Sequence, residues 1–151
     1  MAYKFRGKRF EEFAVGDRFT TASRTVTEAD VMSFAGVSGD FNPLHTNEEF
    51  SKNTSFKKRT AHGLLCASIA QGLISQLGLF DGTLITLVSM NLRYTGVVMF
   101  GDTIRAQLKV MEKKEAKKLD RGLVTFQVTV LNQMDHQILE GEWVFMLVRG
   151  R

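Results

Sequence analysis

From Gly63 to Phe80 the chain runs for eighteen residues without one charged side chain. A helix with no charged face belongs inside a protein, so this run predicts a long core helix around which the rest must wrap. A membrane span needs a similar length. Ser68, Gln71, Gly72, Ser75, Gln76 and Gly78 dilute the apolar content too far for that reading. Gly78 stands where a C-terminal stop for the helix is expected.

The segment feeding this helix is of another kind. Between Phe34 and Leu65 lie the only proline, Pro43, and two of the three histidines, His45 and His62. Gly39 permits unusual dihedrals and Pro43 drives Asn42 out of the helical region, so residues 39–45 cannot be regular. Such a tight path can bring the side chains of Asp40 and His45 to one point. A carboxylate and an imidazole that share a water molecule form a workable acid/base pair, because histidine titrates near neutrality and the carboxylate can hold its tautomer. Taken alone, the two more often amount to a turn aspartate and a surface histidine.

Thr60-Ala61-His62-Gly63 leads into the helix. The first N–H groups of a helix have no internal partner and carry partial positive charge. Gly63 would let a ligand oxygen approach that backbone closely, which is the geometry of an oxyanion site. By itself, a packing glycine at a crowded helix start is the commoner case.

Other chemistries find less support. Asp40, His45 and His62 are few ligands and show no zinc spacing, so no metal is expected. Cys66 falls inside the apolar helix and reads as an inert buried thiol. The lysine-rich run at residues 113–118 reads as a solvated hairpin tip. A net charge of +4 and a pI of 9.4 allow an anionic partner without identifying one. The aromatics follow apolar patterns instead of interleaving a basic stripe, which argues against nucleic acid. A single cysteine rules out an intrachain disulfide, and no signal-peptide pattern opens the chain. Both point to the cytoplasm.

Hydrophobic periodicity supplies the scaffold. Residues 1–13 are basic and irregular, an arm laid on the surface. Residues 19–26 are rich in Thr and Val, as a strand would be. Thr27 and Asp30 have the spacing of a capping box, opening a helix that buries Val31, Phe34 and Ala35. Asn47 caps a second short helix, and residues 52–59 form a polar connection. Beyond Gly82 the pattern turns to strands over 84–94, 103–115, a run containing Val124, Phe126, Val128 and Val130, and 137–148. The expected fold is α+β, one curled antiparallel sheet around one long buried helix, forming a single domain over residues 1–151. Such a sheet leaves an edge that dimerisation could cover.

Ser38-Gly39-Asp40-Phe41-Asn42-Pro43-Leu44-His45, followed by Ala61-His62-Gly63-Leu64-Leu65, resembles the MaoC-like (R)-specific enoyl-CoA hydratases and dehydratases, which have the hot-dog fold. The resemblance spans residues 13–148. It implies cofactor-free syn hydration of a trans-2-enoyl thioester, on CoA or acyl carrier protein, to the (R)-3-hydroxyacyl thioester. In that reading Asp40 and His45 are the catalytic pair, with Asp40 as base and His45 as proton donor. Asn42 fixes the loop, the Gly63 N–H holds the thioester oxygen, and His62 and Gln71 touch the substrate or support the residues that do. Some members carry serine where this chain has Gln71, which then orients the water or narrows the acyl pocket. A homodimer or higher even oligomer is implied, with sites near the interface. A hot-dog acyl-CoA thioesterase and a non-catalytic acyl-CoA-binding module are the alternatives.

Overall fold

The computed structural model describes residues 6–150. Its helices are α1 (Glu28–Ser38), α2 (Pro43–Thr46), α3 (Glu48–Lys52) and α4 (Gly63–Ser75). Its strands are β1 (Arg18–Thr20), β2 (Arg24–Thr25), β3 (Leu84–Met90), β4 (Arg93–Tyr94), β5 (Thr103–Glu115), β6 (Arg121–Leu131) and β7 (Gln137–Val148). The sheet runs β1-β5-β6-β7-β3, with β2 also on β5 and β4 also on β7, and every pairing is antiparallel.

Alternation decides which face of the sheet is inside. Ile104, Ala106, Leu108 and Val110 of β5 are buried, as are Val124, Phe126, Val128 and Val130 of β6. Trp143, Phe145 and Leu147 continue that layer on β7. These side chains share one core with Leu65, Cys66, Ile69, Ala70, Leu73 and Ile74 of α4. One sheet therefore curls around one helix, as the sequence predicts. No helix among the described residues is long and apolar enough to cross a membrane.

Six expectations need correction. Residues 6–13 are not a surface arm, since Phe10 and Phe13 are buried. The Phe13 ring stacks on Phe80 at 6.1 Å and meets Phe126 edge-on at 5.6 Å. Residues 1–5 of the expected arm lie outside the described residues. The lysine run is not wholly solvated either. Lys113 Nζ donates to the Phe13 carbonyl at 2.5 Å and sits 4.5 Å over the Phe10 ring, tying this segment to β5.

The strand expected over 19–26 breaks in two because the Thr21 hydroxyl, not a backbone carbonyl, takes the Ala106 N–H. The strand expected over 84–94 breaks as well. Where Gly141 passes beneath it, a Cβ would lie 1.7 Å from the Asn91 carbonyl oxygen, so the two backbones nearly touch. The core helix stops at Ser75, short of Gly78, whose positive φ of 71° belongs to the turn that follows. Nor is α4 covered all round. Leu64, Ser68, Gly72 and Ser75 form an exposed uncharged strip, because the sheet covers only part of the helix.

Candidate functional site

The polar loop is built by its own side chains. Thr27 accepts from the Asp30 N–H while Asp30 accepts from the Thr27 N–H, so α1 starts with the expected capping box. Gly39 ends that helix at a φ of 79°, a left-handed conformation glycine adopts without a Cβ penalty. Asp40 Oδ1 accepts from the Asn42 N–H at 3.2 Å. Asn42 Oδ1 in turn accepts from the Leu44 N–H at 3.0 Å, capping α2 with Pro43 at its first position. Asn42 thus shapes the turn that carries Asp40 and His45. Asn47 caps α3 through the Phe50 N–H, also as expected.

His45 is oriented from outside this loop. Its Nδ1 lies 2.7 Å from the Thr60 carbonyl oxygen, a contact that requires a proton on Nδ1 and leaves Nε2 free. Thr60 donates its own N–H to the Leu44 carbonyl at 3.3 Å, and its neighbour in the chain is Arg59. That guanidinium binds Glu48 and Glu28, which join α3 to α1 and raise its already high pKa.

Asp40, His45 and His62 each offer a polar atom within 4.8 Å of the other two. They face a cavity of about 600 Å³ whose wall is otherwise largely apolar, with Phe34, Leu44, Phe56 and Val98 among its residues. This grouping alone does not make a metal centre. The His45 and His62 rings lie tilted against one another, with centroids 3.8 Å apart and planes 30° from parallel. Each ring also spends one nitrogen on a backbone carbonyl.

Gly63 borders the same cavity at the N-terminus of α4. Here the helix differs from α1, α2 and α3. Its N-cap residue, His62, makes no side-chain capping bond, and the first bond of the helix comes from the Cys66 N–H. Among the described residues the Gly63 and Leu64 N–H groups have no acceptor, and both residues border the cavity with Asp40 and His45. A cavity with a carboxylate, an imidazole and unpartnered amides at one end can move a proton while holding a negative oxygen.

Two other residues belong in this description. Cys66 also borders the cavity, but burial pushes its thiol up to about 12, with the nearby Asp102 carboxylate adding to the shift. It carries almost no thiolate near neutral pH. Gln71 is not among the lining residues. It lies two turns further along α4, about 12 Å from Gly63 by helical rise, with its Oε1 buried and unpartnered.

Sequence reasoning missed Thr60 and Tyr94. Thr60 acts through a carbonyl that every residue type possesses, so no signal could have marked it. The Tyr94 ring lies against the Cα of Gly63, where a Cβ would come within 2.7 Å of its Cε1. Burial raises the Tyr94 phenol above its ordinary value, and Cys66 adds to this. The contact joins residues 31 positions apart and depends on how β4 lies on β7, which local pattern does not report.

The fold and this cavity define a hot-dog protein with an acid–imidazole pair beside the N-terminus of its central helix. The profile of the MaoC like domain matches residues 11–132, and the chain belongs to that family. An (R)-specific enoyl-CoA hydratase of Rhodospirillum rubrum is 33% identical over 138 residues, covering 91% of this chain and 90% of the relative. A solved Archaeoglobus structure, described as a monoamine oxidase regulatory protein, superposes with a TM-score of 0.90 at 33% identity, covering 96% and 97% of the two chains. A Mycobacterium tuberculosis protein with a double hot-dog fold superposes with a TM-score of 0.84. At 19% identity, covering 98% of this chain and 46% of its own, it speaks for the fold alone.

Proposed function

We propose that this chain hydrates trans-2-enoyl thioesters to (R)-3-hydroxyacyl thioesters and catalyses the reverse dehydration. The observation that carries this reading is the meeting of Asp40 and His45 at an apolar cavity, beside unpartnered helix N–H groups. Asp40 has Oδ1 committed to the Asn42 N–H and His45 has Nδ1 committed to Thr60. One carboxylate oxygen and one imidazole nitrogen remain to grip a water.

In the hydration direction Asp40 takes a proton from that water as its oxygen bonds to C3. The C2–C3 π electrons move towards the thioester carbonyl, whose oxygen gains negative charge and is held by the Gly63 N–H. Asp40 passes the captured proton to the free Nε2 of His45, which delivers it to C2 and so returns to its Nδ1–H form. Addition from one side of the double bond follows because the two groups, with polar atoms within 4.8 Å of each other, act on the same water. The acyl carrier is CoA or acyl carrier protein.

The test is hydration of a short or medium trans-2-enoyl-CoA by purified protein in the presence of a chelator. Loss of the enoyl absorbance with formation of the (R) product is expected, without release of free thiol. Activity that returns only with added metal would remove this mechanism. An (S) product or thiol release would remove the reaction assignment.

We further propose that the chain works as a dimer or an even multiple of it. The uncharged strip on α4 and the exposed Leu84, Ile85 and Val88 of edge strand β3 support this. Sedimentation at assay concentration should show no active monomer. A fully active monomer would contradict it.

A further inference from the structure

His62 is 2% exposed, yet it touches each part of the site. Its Nε2 lies 2.9 Å from the backbone carbonyl oxygen of Asp40. Its ring lies tilted against His45 at 3.8 Å and packs on Phe34 at 5.0 Å. Gly63 follows it directly in the chain. Because a carbonyl oxygen only accepts, the bond to Asp40 requires the proton on Nε2. A proton on Nδ1 instead would strip that carbonyl of its donor. It would also bury the new N–H without an acceptor, since Nδ1 is enclosed and unpartnered. The same reasoning places the proton of His45 on Nδ1, facing Thr60.

We infer that His62 is a positioning residue: held as the Nε2–H tautomer against the opposite, Nδ1–H tautomer of His45, it sets the reach between Asp40 and His45. The inference rests on the proposed pairing of those two residues. His62 takes no part in proton transfer, because one nitrogen is spent on the Asp40 carbonyl and the other is sealed from the cavity. Its two contacts do separate work. The N–H fixes the backbone from which the Asp40 carboxylate projects, and the ring forms the floor on which His45 lies. Losing either should disturb the alignment of acid and base more than the binding of an acyl chain.

Two measurements test this. The first is nitrogen-15 NMR of the imidazoles in the protein without substrate. It should find His62 protonated at Nε2 and His45 at Nδ1, with the His45 ring protons shifted by the neighbouring ring. That shift should disappear in His62→Gln. The second is kinetics of His62→Phe, which keeps a ring and loses the donor, against His62→Gln, whose amide nitrogen can still reach the Asp40 carbonyl. Phenylalanine should lower kcat by about 10–100-fold with KM within about twofold, the scale of a sub-ångström to ångström misplacement of reacting groups. Glutamine should recover part of that loss. The inference is overturned if both rings carry the proton on the same nitrogen, if His62→Phe keeps full kcat, or if the two variants are equally impaired. Should His62→Phe fail to fold, the spectra and His62→Gln decide, a full kcat in that variant with the His45 ring signals unchanged from the unsubstituted protein being the adverse result. If no enoyl thioester is hydrated at all, the proposed reaction fails, while the tautomers and the His45 shift still decide the role of His62.

Discussion

Asp40→Asn should lower kcat by about 10²–10⁴-fold, the usual contribution of a positioned acid or base. The substitution is narrow. The asparagine carbonyl can still accept from the Asn42 N–H, and the Asp40 backbone carbonyl still receives the His62 proton. Only the capacity to take a proton goes. For His45 the orienting bond selects the variant. His45→Asn places an amide nitrogen near the position of Nδ1, so the bond to the Thr60 carbonyl can persist while the reacting nitrogen is removed. A comparable loss is expected. The double variant should be little worse than the poorer single one, because each residue needs the other to handle the same water. Steady-state kinetics with folding verified by circular dichroism would check this. Near-normal turnover by either single variant would take that residue out of the chemistry, and multiplicative losses would show that the two act independently.

The parts of this molecule legible in the sequence are those set by local rules. Strands β5, β6 and β7 bury alternate residues because a strand has two faces, and their inward rows of Val, Ile, Leu and Phe are visible in the linear pattern. The Thr27/Asp30 box and the Asn47 cap were equally local. So was the turn that carries Asp40 and His45, since Pro43 and Asn42 leave little choice of path. What the pattern hid is non-local. Phe10 and Phe13 sit among charged residues and read as surface, yet the open end of the core between Phe80 and Phe126 takes the Phe13 ring. The uncharged face of α4 was read as buried because nothing in a sequence tells a sheet-covered strip from one left open.

The same division runs through the site. Asp40, His45, His62 and Gly63 are close in sequence or joined by the helix start, and the fold brings all four to one cavity. Gln71 was placed beside them by comparison with a serine of the family. Along an α-helix, however, an eight-residue separation is a distance of about 12 Å, and the cavity does not reach that far. The bonds that set the orientation of both histidines come from carbonyls of Asp40 and Thr60, which no side-chain pattern encodes. The residue types that meet at the cavity were therefore easier to read than their geometry.

Gly63→Pro should cost about 3 kcal/mol more in activation free energy than Gly63→Ala, the scale of one oxyanion donor. The role in question belongs to a backbone N–H, which no ordinary side-chain change reaches. Proline deletes it, and the first position of a helix tolerates proline because no internal bond is lost there. The local backbone suits the test. Gly63 is not among the glycines with positive φ, and His62 before it has φ −63° and ψ 138°, the region a residue preceding proline prefers. Crowding is the main confounder, since a Cβ at this position meets the Tyr94 ring. Both variants carry that Cβ, so its cost falls on each and largely cancels in the comparison. Tyr94 is 45% exposed, which gives its ring room to swing aside. In a Tyr94→Ala background the crowding is gone, and the same gap between proline and alanine should remain. Charge on the thioester oxygen grows as the enolate forms, so the loss should appear in kcat far more than in KM. Equal turnover by two folded variants would move the oxyanion role from Gly63 to another donor, with the free N–H of Leu64 the next group to examine.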